Sequence, residues 1–183
     1  ERCDSLVRGM KILSKESTWE YSAPSIPRSH WIERGFNLEY TEAMDALVDD
    51  IRTETKTMRK GEHSSRIELA YCDDDEEEGD IGFLQYDNVL LPHWRELATA
   101  LQLCQSNDID LTIQNVQLTT SVTDVLIPAL KGKLHELYLE NNEFVDIYKG
   151  AEFIITCIES NPLMKEFCLV NNQLETTDNI GAV

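Results

Sequence analysis

Near its C-terminal end the chain repeats itself: Leu134-x-x-Leu137-x-Leu139-x-x-Asn142-x-Phe144 recurs 30 residues later as Met164-x-x-Phe167-x-Leu169-x-x-Asn172-x-Leu174. Self-similarity at a period of about 20–50 residues constrains a fold more than composition does, because each copy must adopt the same local structure and bury its apolar side against the next. Two weaker copies precede these. Asp108-x-x-Leu111-x-Ile113-x-x-Val116-x-Leu118 lies 26 residues before the third, and Ile81-x-x-Leu84-x-Tyr86-x-x-Val89-x-Leu91 lies 27 before the second. In both, Val takes the Asn position, and Asp108 takes an apolar one.

Between copies the apolar period changes from two to helical. Trp94, Leu97, Ala98 and Leu101 form one stripe, Val122, Val125, Leu126, Ala129 and Leu130 a second, and Ile147, Ala151, Ile154, Ile155 and Ile158 a third. Each unit is one strand followed by one helix, and the stripes are core positions. A lone unit cannot bury its apolar face, so units stack, strands beside strands and helices beside helices. Four parallel strands centred near Leu84, Leu111, Leu137 and Phe167 are expected. Asn142 and Asn172 sit where the strand turns away, and their amides can serve backbone groups that have left the ladder.

This pattern resembles the leucine-rich repeat family, in its ribonuclease-inhibitor-like subtype. The likeness covers residues 81–183. It implies an α/β solenoid of about four units, with parallel strands on a concave face, helices on a convex face and a helical region on the N-terminal side. The fourth unit is expected to be truncated at Val183, since no polar cap follows it.

Charge divides the chain. Residues 1–66 hold 12 acids and 11 bases, whereas residues 67–183 hold 22 acids and 5 bases. Residues 1–38, with Pro24, Pro27 and several Ser but no sustained period, read as a loosely ordered arm, with enough aromatics that some of it is expected to dock on something. Residues 39–80 read as an N-terminal cap. An amphipathic helix over about 40–60 carries Tyr40, Met44, Leu47, Val48, Ile51 and Met58 on one face and ends at Arg59-Lys60-Gly61. A short strand follows at 67–71, then the acidic loop 73–80. That loop mimics an EF-hand from Asp74, but Gln85 stands where the bidentate Glu belongs, so it reads as solvated rather than as a calcium site.

The overall balance of 16 Lys and Arg against 34 Asp and Glu excludes non-specific nucleic-acid or anionic-membrane binding, which needs a basic face. No run of 18 apolar residues exists, which excludes a spanning segment. The five Cys are scattered without a C-x-x-C pair, so they read as free thiols in a reducing, cytoplasmic setting, with no disulfide framework and no metal site. No catalytic motif or phosphate loop occurs, and neither an enzyme nor a cofactor is expected. Alternation places Gln85 and Asp87, then Asp110, Thr112 and Gln114, then Glu136, Tyr138 and Glu140, then Glu166 on the solvent side of successive strands. The resemblance makes that concave face the seat of protein recognition. Its acidity points to a basic partner, with Tyr138 and Phe83 as candidate anchors and Tyr138 the one around which a basic segment is expected to be held. The alternative that the repeat subtype implies is a regulator of a small GTPase. It would want an Arg in a repeat loop, and Arg95 is the only Arg after residue 66.

Overall fold

The computed structural model describes residues 19–61, 66–70 and 83–173. In chain order these form α1 (Ser29–Ile32), α2 (Leu38–Arg59), β1 (Arg66–Ala70), a 3-10 turn at Asn88–Leu90, α3 (Leu91–Leu103), β2 (Ile109–Gln114), β3 (Gln117–Leu118), α4 (Thr120–Leu130), β4 (Leu134–Glu140), β5 (Glu143–Phe144), α5 (Ile147–Ser160) and β6 (Glu166–Val170). Strands β1, β2, β4 and β6 make one parallel sheet in that spatial order, and β3 pairs with β5 in a second, two-stranded sheet. Helices pack in sequence, α2 on α3, α3 on α4 and α4 on α5. The protein is therefore an α/β molecule in which each strand pairs with those of the neighbouring units.

The repeated motif has a physical basis in the register. Ile67, Leu111, Leu137 and Phe167 form one row across the sheet, and Leu69, Ile113, Leu139 and Leu169 form the next. The first three members of each row are fully buried. At the ends of β2, β4 and β6 the chain turns through Asn115, Asn141 and Asn171, at φ of 56°, 50° and 52°. This left-handed conformation is tolerated by Asn better than by other side chains. The following residue then closes the turn. Asn142 is fully buried; its amide donates to the Ile113 carbonyl at 2.8 Å and its oxygen accepts from the Val116 N–H at 3.1 Å. Asn172 repeats this one unit on, donating to Leu139 O at 2.8 Å and accepting from Asn142 N at 3.1 Å. Where Val116 stands instead, the corresponding amide, Leu84 N–H, donates to the Asn115 carbonyl at 2.8 Å. Asn142→Ala leaves a buried carbonyl and a buried N–H without their side-chain partners. It should cost about 1–3 kcal/mol, measured as a lowered denaturant midpoint, and an unchanged midpoint refutes this account of the turn.

Two expectations need correction. The first strand is not centred on Leu84. The sheet's first strand is β1, which pairs with β2 from Arg66 opposite Asp110 to Ala70 opposite Gln114. Leu84 makes only an isolated parallel bridge to Val116, so it fills the position held by Asn142 in the later unit. The spacing misled because the first unit is interrupted: residues 71–82, which include the acidic loop and lie outside the described residues, separate its strand from its turn. The third stripe is also out of phase. Helix α5 buries Gly150, Phe153, Ile154 and Cys157, while Ile155 and Ile158 are exposed. A Cβ on Gly150 would come within 2.7 Å of the Phe144 ring, so the close approach of α5 to that ring selects this face.

On the other side of the sheet from β6, the helical layer is extended by α2. Asn37 caps it by accepting from Tyr40 N–H at 2.8 Å, Glu39 lies in its first turn, Lys56 and Arg59 lie in its last, and Gly61 follows at φ +74°. Of the expected arm, residues 1–18 lie outside the described residues, and residues 19–36 pack on the helical layer. Trp31 is 1% exposed, Arg59 lies 4.9 Å from the centre of the Trp19 ring, and Arg52 lies 5.5 Å from that of Tyr21. The Tyr21 hydroxyl meets Nδ1 of the buried His93 at 2.7 Å. Burial pushes the Tyr21 phenol up to about 12, against the opposing Arg52 charge, so it is the donor in this pair.

This clasp responds to acid. Burial, then the Arg52 charge, holds the His93 imidazole below its ordinary range. At Asp87 burial pushes the carboxyl up, but hydrogen bonds from His30 and the Val89 N–H, with the Arg34 charge, outweigh it and leave it below the usual carboxylate range. Both groups bind protons more readily in the unfolded chain. Their contribution is therefore complete above the unfolded values, and it is lost as the pH falls below about 6.5 for His93 and about 3.9 for Asp87. Urea midpoints should decline from pH 7 to pH 5, and His93→Gln should remove that decline while leaving the later one near pH 4. A flat midpoint from pH 7 to pH 5 in the unaltered protein would contradict the assignment.

Candidate binding face of the sheet

Strand alternation sends Ile67, Leu69, Ile109, Leu111, Ile113, Leu137 and Leu139 into the core and leaves the opposite face of the sheet without a covering helix among the described residues. A groove of about 370 Å³ runs across that face between Arg66, Glu68, Asp110, Thr112, Gln114, Glu136 and Tyr138. Five of its seven lining residues, Asp110, Thr112, Gln114, Glu136 and Tyr138, are in the expected set. Arg66 and Glu68 were missed because β1 was assigned to a cap. Their alternation about Ile67 and Leu69 is the signal that would have found them.

Tyr138 lies at the centre, opposite Thr112 on one neighbouring strand and Cys168 on the other. Its hydroxyl donates to Glu136 Oε2 at 3.1 Å. Hydrogen bonding to Glu166, partial burial and the Glu136 carboxylate all raise the phenol above its ordinary range, so it remains a protonated donor among carboxylates. Gln114 donates to Glu140 Oε2 at 2.8 Å, which fixes the Glu140 carboxylate at the edge nearest the Asn turns. Glu166, on β6, is exposed beside Glu136. The structure thus brings Asp110, Thr112, Gln114, Glu136, Tyr138, Glu140 and Glu166 onto one surface.

Gln85 and Asp87 do not join them. They follow the turn position at Leu84, beyond the ladder, because the described residues around Leu84 form only an isolated bridge and no strand. The Gln85 N–H donates to the Tyr40 hydroxyl at 2.6 Å, on the helical side. Asp87 is 7% exposed, accepts from Val89 N–H at 3.1 Å to cap the 3-10 turn, and pairs with His30 at 2.9 Å and with Arg34. It clamps the N-terminal segment. Arg95 lies inside α3, exposed, rather than in a loop after a strand. The three described histidines are engaged by Tyr21, Asp87 and Asp110. Cys104, Cys157 and Cys168 are free thiols. No helix among the described residues is long and apolar enough to cross a membrane.

The fold and this face define an α/β protein with a parallel sheet that carries helices on one side and, among the described residues, none on the other. No family model, no curated protein and no solved structure matches the chain.

Proposed function

We propose that the chain is a leucine-rich repeat solenoid of the ribonuclease-inhibitor-like subtype and that it acts, without catalysis, as a cytoplasmic scaffold holding a basic protein segment against the open face of its sheet. The observation that carries this reading is the groove itself. Glu68, Asp110 and Glu136 ring a phenol that is kept as a donor, and Arg66 is the only base in the lining. Carboxylates this close repel one another, and a cationic ligand relieves that repulsion. A Tyr amid charges supplies rigid contact area that the rim can shield from water. The repeated row-and-turn architecture supports the family reading, and the free thiols support a reducing compartment.

The test is selection from a random peptide library on the immobilised chain. Recovered sequences should be rich in Lys and Arg, and their binding should weaken several-fold between low and physiological ionic strength, chiefly through a slower on-rate. Glu136→Gln with Glu140→Gln should weaken binding and flatten the salt dependence. Asp124→Asn with Glu152→Gln, on the exposed faces of α4 and α5, should do neither. Equal effects from the two pairs would place the ligand elsewhere.

A further inference from the structure

The parallel pairing of β2 with β4 contains one irregularity. Ile109 is opposite Leu134, but Asp110 is opposite Glu136, so β4 carries one extra residue, His135. A bulge of this kind sets two residues of one strand against a single residue of the other and re-aims a side chain that alternation would send elsewhere. The His135 carbonyl still accepts from Lys165 N–H at 2.7 Å, so the sheet continues past the bulge. Its imidazole reaches the side chains of Asp110 and Glu136: Nδ1 lies 2.9 Å from Asp110 Oδ1 and 3.7 Å from Glu136 Oε1. One ligand atom from each of the three residues falls within 4.8 Å of the others.

The geometry points to a divalent transition-metal site, of the zinc type, made by Asp110, His135 and Glu136 at the end of the groove where β2 and β4 begin. Ions of this class bind imidazole nitrogen and carboxylate oxygen at about 2.0–2.2 Å, which sets neighbouring ligand atoms about 3.0–3.5 Å apart. The spacings around Nδ1 bracket that interval, so closure needs only small side-chain rotations. The Asp110, His135 and Glu136 side chains are 29%, 22% and 27% exposed, held by the sheet on one side and open to water on the other. That leaves room for a fourth, solvent ligand. On the far side of the ring, Nε2 lies 3.7 Å from Asp108 Oδ1. Histidines that bind metals commonly direct their second nitrogen to a carboxylate, which orients the ring and strengthens it as a ligand. Coordination through Nδ1 replaces the hydrogen bond to Asp110, and any proton on that nitrogen passes to solvent. One nitrogen with two carboxylate oxygens suits zinc, cobalt or nickel better than calcium or magnesium, which take oxygen alone.

The site stands independently of the proposed peptide binding, although it shares Asp110 and Glu136 with the groove. Its test uses the protein alone. Zn²⁺ is titrated calorimetrically into the full chain in a background of Mg²⁺ that occupies general acidic surface. One Zn²⁺ per chain should bind saturably, and Co²⁺ should develop visible absorption bands that Zn²⁺ then displaces. His135→Gln and Asp110→Asn should each weaken Zn²⁺ binding at least tenfold, whereas Glu140→Gln, on the same face but outside the cluster, should not. If His135→Gln lowers the metal-free melting temperature, Glu136→Gln makes the same comparison. Absence of saturable binding, or an affinity unchanged by His135→Gln in a protein that melts normally, overturns the site.

Discussion

Trp31→Ala is expected to lower the unfolding free energy by about 3–5 kcal/mol, as truncation of a fully enclosed aromatic does. The size is informative because of where Trp31 sits. It belongs to a helix of only four residues, α1, which no isolated peptide would hold, yet it is 1% exposed and part of the same apolar core as Met44, Leu47 and Ile51. His30 packs edge-on against its ring, with centroids 4.7 Å apart, and also grips Asp87. The N-terminal segment is thus a structural element of the first unit, on the helical side, and removing the indole should lower the denaturant midpoint of the whole molecule. If residues 19–36 were a detachable strap, the midpoint followed by backbone circular dichroism would stay within error of the unaltered protein, and that result would falsify the packing described.

Leu137→Ala and Leu139→Ala should each cost about 2–5 kcal/mol. Both side chains are fully buried on the inner face of β4, between the matching residues of β2 and β6. A cavity at either position removes contacts from two units at once. Leu169→Ala, one strand further on, is the discriminating control. It occupies the same row as Leu139, but its side chain is 39% exposed, so it leaves a smaller void and should cost clearly less. Equal losses at 139 and 169 would mean that position in the row, rather than burial, sets the energetics, and the packing account would fail.

How far the sequence discloses this molecule depends on which residues have to agree. Strands β2, β4 and β6 and helices α3 and α4 are legible because their apolar positions are fixed twice, by alternation within the element and by recurrence between units. The first strand is not, although Ile67 and Leu69 alternate correctly. The 81–91 segment fits the repeat template at the right distance, while the true strand lies 44 residues before its partner row, as Ile67 opposite Leu111 makes plain. Leu84 is where the two readings meet, since it does occupy a repeat position, the turn rather than the strand. At α5 the error is one of phase. Ile155 and Ile158 outweigh Phe153 and Cys157 in a hydrophobicity pattern, but the Phe144 ring against Gly150 decides which side faces inward. Most of the groove was legible by alternation. His135 was not, because a bulge cancels the parity on which alternation rests.

The interruption of the first unit bears on how much chain this architecture can take up. Ala70 and Leu84 are held by hydrogen bonds to consecutive stretches of the same partner, one in β2 and the other in the turn that follows it. Residues 71–82, twelve in number, lie between these two anchored points in the sequence. The entropy of closing such a loop grows with the logarithm of its length, about 0.6 kcal/mol for each doubling. The same twelve residues inserted within a strand would shift every row behind them. Between strand and turn they leave the rows in place, so this junction is a place where the chain can gain sequence, and with it new chemistry beside the groove, at small thermodynamic expense.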